Sequence, residues 1–273
     1  MISKIHDIAS QLETAYPHDE ALALAWWMAE ELSGLSRSQL LCGCKDTTFL
    51  ANTQIIVDRL LHFEPIQYIF GHTLWNNLDL KLTPATLIPR PETAELVERI
   101  VGIPELRDNG IPRKLLDIGT GSGCIAIALK KANPEWQVSG IDISPEAIEV
   151  AKENARRNGV EVEFLQKDVF SDGIGTFDVV VSNPPYIREC EKADMRPNVL
   201  NFEPATALFV PDNDPLRFYR RIASLHGKYL FFEINEAFAA EMESLLREQG
   251  YTAITITNDI YGKPRIIEGR MAG

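Results

Sequence analysis

Cysteine is scarce in this 273-residue chain, basic residues are outnumbered, and no long apolar run interrupts it. The four cysteines are Cys42, Cys44, Cys124 and Cys190. A single residue separates Cys42 from Cys44, and no Cys/His pair follows at zinc-ligand spacing. Neither a metal site nor a disulfide scaffold is therefore expected. Reduced thiols in a cytoplasmic protein fit better. Lys and Arg number 27 against 39 Asp and Glu, giving a formal net charge of -12 and a pI near 5.0. That balance lacks the basic footprint of a nucleic-acid binder and disfavours anionic membrane surfaces. No segment approaches the ~20 apolar residues needed to span a bilayer. The opening MISKIHDIAS lacks the apolar core of a signal peptide, so none is expected. Repeats and low-complexity stretches are missing as well.

What remains is a composition, 45% apolar and 24% charged, that can bury a sizeable core. A prior of roughly 150 residues per domain allows one large domain or two unequal ones. Residues 1–70 read as helical. Ile5, Ile8, Leu12 and Ala15 recur near helical spacing, 21–32 is rich in Ala, Leu and Trp, and 54–62 places Ile55, Ile56, Leu60 and Leu61 among charges. Trp26 and Trp27 suit a core or a domain interface. Residues 71–90 change character: Leu74, Leu78, Leu80, Leu82 and Leu87 alternate with polar residues, and Gly71, Pro84 and Pro89 punctuate. This predicts a β-hairpin linker. In 91–273, strand patterns at 114–118, 137–141, 161–165, 177–182 and 228–233 alternate with helices. Ser144 and Pro145 open one helix and Gly159 closes it. Repeated βα units predict an α/β domain with a mostly parallel sheet. A last hairpin is expected around 258–263.

Three constellations carry chemistry. Asp117-Ile-Gly119-Thr120-Gly121-Ser122-Gly123 follows a strand and opens a helix. Glycines at alternate positions permit a tight turn with room above the main chain. The helix start offers N–H donors. The third glycine comes one residue too early for a dinucleotide fingerprint. Asp117 instead suits a cationic ligand end, such as the ammonium of a methionine moiety. Asp142 ends the next strand, where an acid can accept both ribose hydroxyls. Asp168 ends the third strand region and could accept from an adenine amino group, with Val169 packing on the ring. Together these indicate an adenosine-containing cofactor. The third constellation is Ser182-Asn183-Pro184-Pro185-Tyr186 after an apolar strand. Asn183 offers a carbonyl acceptor on a short side chain. The two prolines hold the chain extended, so the Pro184 carbonyl can serve as a second acceptor. The face of Tyr186 can pack on a planar amide or base. Such a site grips an NH2 group by positioning and electrostatics.

This pair of motifs resembles the signature of class I amino-methyltransferases, which include adenine-N6 nucleic-acid enzymes and the HemK/PrmC glutamine methyltransferases. Further stretches resemble the release factor glutamine N5-methyltransferases: 64–71 (EPIQYIFG), 87–98 (LIPRPETAELVE), 181–187 (VSNPPYI) and 202–208 (FEPATAL). The resemblance implies a seven-stranded, doubly wound, mostly parallel sheet behind an all-α N-terminal domain that docks the substrate. It implies transfer of methyl from S-adenosylmethionine, leaving S-adenosylhomocysteine, to N5 of the glutamine in the Gly-Gly-Gln motif of peptide-chain release factors. Gly119 to Gly123 and Asp142 would hold the cofactor. Asn183, Pro184, Pro185 and Tyr186 would grip the glutamine, and Arg90 and Glu92 would line the site from the linker side. A ribosomal-protein glutamine methyltransferase and an adenine-N6 methyltransferase remain the alternatives. The acidic balance opposes direct nucleic-acid binding. Two stretches depart from the pattern, Ile234-Asn235-Glu236 and Pro211-Asp212-Asn213-Asp214-Pro215.

Overall fold

The computed structural model describes residues 2–42, 50, 53–106 and 112–271. Cys44 lies outside them. Cys42, Cys124 and Cys190 are free thiols. No helix among the described residues is long and apolar enough to cross a membrane.

The chain divides into two compact units, one formed by residues up to Gly71 with Arg196–Phe202, the other by His72–Met195 with Glu203 onward. The first is helical, with helices at Ile2–Leu12, His18–Ser33, Arg37–Leu41, Gln54–Leu61 and Ile66–Phe70. Its core gathers Ile5, Ile8, Leu12, Ala25, Trp26, Leu40 and Leu60, the apolar stripes that helical spacing creates. Ile55 points to solvent, 71% exposed. Trp26 is buried, while half-buried Trp27 donates its Nε1 hydrogen to Glu31 at 3.1 Å. Gly34 ends the second helix with φ +67°, and Ser36 starts the third in a reciprocal cap with Gln39. The segment Arg196–Phe202 joins this unit although it falls within the 91–273 stretch expected to form the α/β domain; Arg196 pairs with Glu20 at 3.2 Å.

In the second unit, β1 (His72–Trp75) and β2 (Leu78–Lys81) form an antiparallel hairpin. The strand pattern stops there: 82–90 is irregular, interrupted by Pro84 and Pro89. β3 (Lys114–Ile118), β4 (Gln137–Asp142), β5 (Glu163–Gln166) and β6 (Val179–Ser182) follow. A two-residue parallel pair, β7 (Ile187–Arg188) and β8 (Phe209–Val210), stands apart. β9 (Tyr229–Glu233), β10 (Tyr251–Asn258) and β11 (Pro264–Met271) complete the sheet. Its seven strands run β10-β11-β9-β6-β3-β4-β5. All neighbours are parallel except β11, which is antiparallel to both β9 and β10. Strand side chains alternate between two cores. Leu115, Val179, Val181 and Phe231 face one; Leu116, Val180, Leu230 and Phe232 face the other. Helices Pro91–Gly102, Cys124–Ala132 and Pro145–Arg157 cover the first face, and Arg217–Ala223 with Ala239–Glu248 the second.

The strand order reverses between β3 and β6. An open parallel sheet has its natural crevice at such a switch point, beyond the carboxyl ends of the strands. Both motif-bearing turns leave the sheet there.

Candidate active site

The glycine turn carries β3 into helix Cys124–Ala132. Gly119 has φ +71°, and a β-carbon on it would project into open space. Gly123 has φ +80°, and a β-carbon there would sit 3.0 to 3.1 Å from Phe164, Ala151 and Ile127. The first glycine leaves room for a ligand, and the third lets the helix pack. Fully buried Asn154 pins the turn from behind, donating from Nδ2 to the Ser122 carbonyl at 2.8 Å and to the Lys81 carbonyl at 3.0 Å.

The sequence suggests free N–H donors along this turn. The structure spends the first of them. Gly119 and Thr120 donate to the Ile141 carbonyl at 2.9 and 3.0 Å, and Gly121 donates to Asp142 Oδ2 at 2.9 Å. Parallel pairing of β3 with β4 puts the end of β4 directly beside the turn, so the turn docks on it. Asp142 thus braces the loop. Its Oδ1 accepts from the Ser144 N–H at 3.0 Å. A carboxylate has roughly four acceptor positions, which leaves capacity for ribose hydroxyls. Burial raises the Asp142 pKa, against the N–H groups of Ser144, Gly121 and Ile143.

Asp117 is fully buried. Thr120 Oγ1 donates to its Oδ2 at 2.6 Å, while Oδ1 has no hydrogen-bond partner among the described residues. Burial pushes its pKa up to about 7. The Thr120 hydroxyl and Ala126 N–H oppose the shift, and the Asp142 charge adds to it. An orphaned acid of this kind is stabilised by a nearby cation.

A cavity of about 430 Å³ opens over the turn, a volume in the range of small-molecule sites. Gly119 to Ser122, Asp142, Asp168, Val169 and Asn183 to Pro185 all line it. Asp168 folds back on its own turn, accepting from the Phe170 N–H at 2.9 Å and Ser171 Oγ at 3.1 Å. Val169 is buried. The aromatic wall comes from its neighbour Phe170, tilted against Phe218 with ring centroids 5.1 Å apart and with the Arg217 guanidinium 4.7 Å from its centroid.

The opposite wall begins at β6. Buried Ser182 donates to the Ile118 carbonyl at 2.6 Å, tying the ends of β6 and β3 together. Asn183 follows, half-buried, and donates from Nδ2 to Thr93 Oγ1 at 3.3 Å. Thr93 donates to Glu233 Oε2 at 2.7 Å. The Tyr186 hydroxyl donates to Glu233 Oε1 at 3.2 Å. Burial raises the pKa of Glu233; Thr93, Arg265 and Tyr186 lower it, and Glu92 raises it further. Tyr186 is not among the cavity-lining residues, because its hydroxyl anchors it on the Glu233 side.

Arg90 and Glu92 also stand outside the lining. Arg90 pairs with the buried carboxylate of Glu203, whose other oxygen accepts the Ile88 N–H at 3.2 Å. Trp75 Nε1 holds the Arg90 carbonyl at 2.8 Å. These contacts shape the 85–93 segment, which lends Thr86, Leu87, Pro89 and Thr93 to the cavity. Asn235 caps a short turn at the Ala237 N–H, 3.0 Å away, and its Nδ2 reaches the Tyr186 carbonyl at 3.4 Å.

Sequence reasoning missed Phe170, Thr93, Glu233 and Arg217. Two signals were present. An apolar strand, YLFFE, ends in an acid that nothing local neutralises, and Thr93 lies inside the PRPET stretch.

The sheet order, the glycine turn and the bracing acid at the end of β4 define a class I S-adenosylmethionine-dependent methyltransferase. The catalytic domain of hMettl16 in complex with an RNA hairpin shares the fold, with a TM-score of 0.57 at 19% identity over 72% of this chain and 76% of that one. So does a human methyltransferase 10 domain containing protein, with 0.51 at 17% over 72% and 90%. Residues 4–71 match the PrmC N-terminal domain family, and residues 102–201 match the methyltransferase small domain family. A release factor glutamine methyltransferase of Bacteroides thetaiotaomicron is 45% identical over 95% of this chain and 96% of its own length. One from Lactococcus lactis is 37% identical over 97% and 98%. The chain belongs to the release factor glutamine methyltransferase family.

The residues present fit S-adenosylmethionine. The open space above Gly119 admits it, and Asp142 keeps acceptor capacity at the end of β4; Asp117, with Oδ1 unpartnered among the described residues, is fully buried beneath the turn and lies outside the cavity lining.

Proposed function

We propose that this enzyme methylates N5 of the glutamine in the Gly-Gly-Gln motif of peptide-chain release factors, in the cytoplasm. The observation carrying this reading is that Asn183 and Pro184 line the same cavity as the glycine turn and Asp142. A substrate amide held by Asn183 would thereby meet the cofactor in one enclosed volume. The Bacteroides and Lactococcus relatives carry the release factor name, which supports the substrate class.

Bound S-adenosylmethionine supplies an electrophilic methyl group on a sulfonium. An amide nitrogen is a weak nucleophile because its lone pair is delocalised, so the protein's contribution is orientation. Asn183 Oδ1 and the Pro184 carbonyl accept the two N–H bonds of the glutamine. They aim its nitrogen and stabilise positive charge as the new N–C bond forms. The sulfonium would leave as a neutral thioether with the C–S bond pair, and the amide, held by Asn183 and Pro184, would release one N–H proton to water. Pro185 lines the wall beside them. Tyr186 holds the end of the loop through Glu233, and Arg90, paired with Glu203, orders the linker segment next to the site. The helical unit docks the release factor, and nucleic acid is not a substrate.

Purified enzyme and labelled cofactor, offered a release factor, DNA and RNA, test the reading. The label is expected on the Gly-Gly-Gln glutamine. Label on nucleic acid alone would reverse the assignment.

A further inference from the structure

The hydrogen bonds behind Asn183 have a direction. Glu233 is 1% exposed and ends β9. It has no direct ion pair among the described residues; Arg265, the cation acting on it, pairs with Asp259 at 3.2 Å. With its carboxyl ionised it only accepts, and burial, which raises its pKa against Thr93, Arg265 and Tyr186, moves the lower pH limit of that polarity upward. Thr93, 3% exposed, has one hydroxyl proton and gives it to Glu233 at 2.7 Å. Toward Asn183, 3.3 Å away, the same oxygen can only accept. Asn183 must therefore present its NH2 to Thr93, which turns Oδ1 the other way. The two ends of an asparagine amide have nearly the same shape, so the network and not the shape fixes the orientation. Tyr186 gives Glu233 a second donor, keeping the acceptor in place.

We propose that Thr93 and Glu233 are positioning residues that set the polarity of the Asn183 amide, and that this polarity makes the site select a neutral amide over a carboxylate. The proposal rests on the glutamine reading above. Oδ1 and a proline carbonyl form a pair of acceptors. They welcome an NH2 group and repel the carboxylate of a glutamate of nearly identical shape. A site built to pair a substrate N–H rejects an analogue lacking it strongly, because the buried acceptors are left unmatched. A reversed Asn183 would offer a donor to the glutamate and an unwelcome one to the glutamine. The relay therefore acts on substrate choice as well as rate.

The test uses the full chain with Thr93→Val, Thr93→Ser and Glu233→Gln. Asparagine-15N NMR follows the Asn183 side-chain NH2 signals, assigned by their loss in Asn183→Ala. These signals should shift in Thr93→Val and Glu233→Gln and return in Thr93→Ser, whatever the substrate proves to be. With release factor as substrate, kcat should fall roughly 10–100-fold in the first two variants, recover to within about threefold in Thr93→Ser, and leave S-adenosylhomocysteine affinity unchanged. A release factor carrying Gln→Glu in the motif should inhibit Thr93→Val at least about tenfold better, relative to the glutamine protein, than it inhibits wild type. Glu233→Gln gives an independent reading if Thr93→Val fails to fold. Unmoved Asn183 signals, or wild-type kcat and unchanged glutamine-over-glutamate preference in both variants, would overturn the relay. Wild-type enzyme that leaves the release factor unlabelled overturns the substrate reading, while the NMR result still decides the relay.

Discussion

On the side of the cavity proposed for the cofactor, the turn and its brace belong to one βαβ unit. Gly119, Thr120 and Gly121 bond to Ile141 and Asp142, 21 residues apart at the carboxylate contact. On the side proposed for the substrate, Thr93, Asn183 and Glu233 come from three segments, separated by 90 and 140 residues at their hydrogen bonds. The first wall is made of backbone N–H groups fixed by strand pairing, and the second of side chains passing polarity through a hydroxyl. Damage to the first should appear as lost cofactor binding, and damage to the second as lost turnover at unchanged cofactor affinity.

The largest effect tests the substrate wall. Asn183→Ala should cost about 10²–10³-fold in kcat, the range for removing a preorganised polar group at a reacting centre. Its S-adenosylhomocysteine Kd by calorimetry should stay within about threefold of wild type. A matching loss of affinity would merge the two walls into one.

Next comes the brace. Asp142→Ala removes the Gly121 contact and the ribose acceptor together and should weaken S-adenosylhomocysteine roughly 10–100-fold. The kcat at saturating cofactor should change little. Full affinity in this variant would remove Asp142 from the cofactor wall.

Asp117 gives a smaller effect with a sign. Its folded pKa of about 7 lies above the ordinary 3.8. The native state then binds the proton more tightly than the unfolded one, and the charged form is a native-state cost. That cost is absent below the unfolded value, grows between the two values, and is complete above the folded one. Asp117→Asn should therefore stabilise the cofactor-free protein by roughly 1–3 kcal/mol at pH 8, with the gain fading as pH falls toward 4. S-adenosylhomocysteine binding should weaken about tenfold in calorimetry. Denaturant midpoints at the two pH values check the first part; a gain independent of pH would contradict the buried-charge account.

Phe170→Ala is the smallest. Loss of an aromatic wall, about 39% exposed already, should raise the same Kd roughly 2–10-fold and leave kcat alone.

The difference between the walls also explains how much could be read in advance. Strand 114–118 was legible to the residue, because a continuous apolar run ended in an acid and a glycine turn. The helix from Pro145 was legible through Ser144, whose side chain accepts the Ala147 N–H at 3.1 Å. Asp142 was legible as an acceptor but not as a brace, since nothing in its spacing reveals the register that brings Gly121 to it. β5 begins at Glu163, two residues later than its pattern suggested; Glu161 is exposed, while Val162 packs on the core outside the paired strand. Asn183, which lines the cavity, was singled out by its motif. Its partners were not, because no local periodicity links Thr93 in a helix to Glu233 in a strand. The same limit applied to Arg90, whose charge reads as a ligand contact until Glu203, 113 residues away, appears beside it. Tyr186 read as a stacking surface because its sequence neighbour is a proline pair; the fold commits its hydroxyl to Glu233.

The most direct measurement is a crystal structure of the enzyme with S-adenosylhomocysteine and a Gly-Gly-Gln peptide. The account requires the thioether sulfur over the glycine turn and the glutamine nitrogen within hydrogen-bond distance of Asn183 Oδ1, with Asn183 Nδ2 still on Thr93. A glutamine bound with its oxygen toward position 183, or a sulfur remote from that nitrogen, would contradict it.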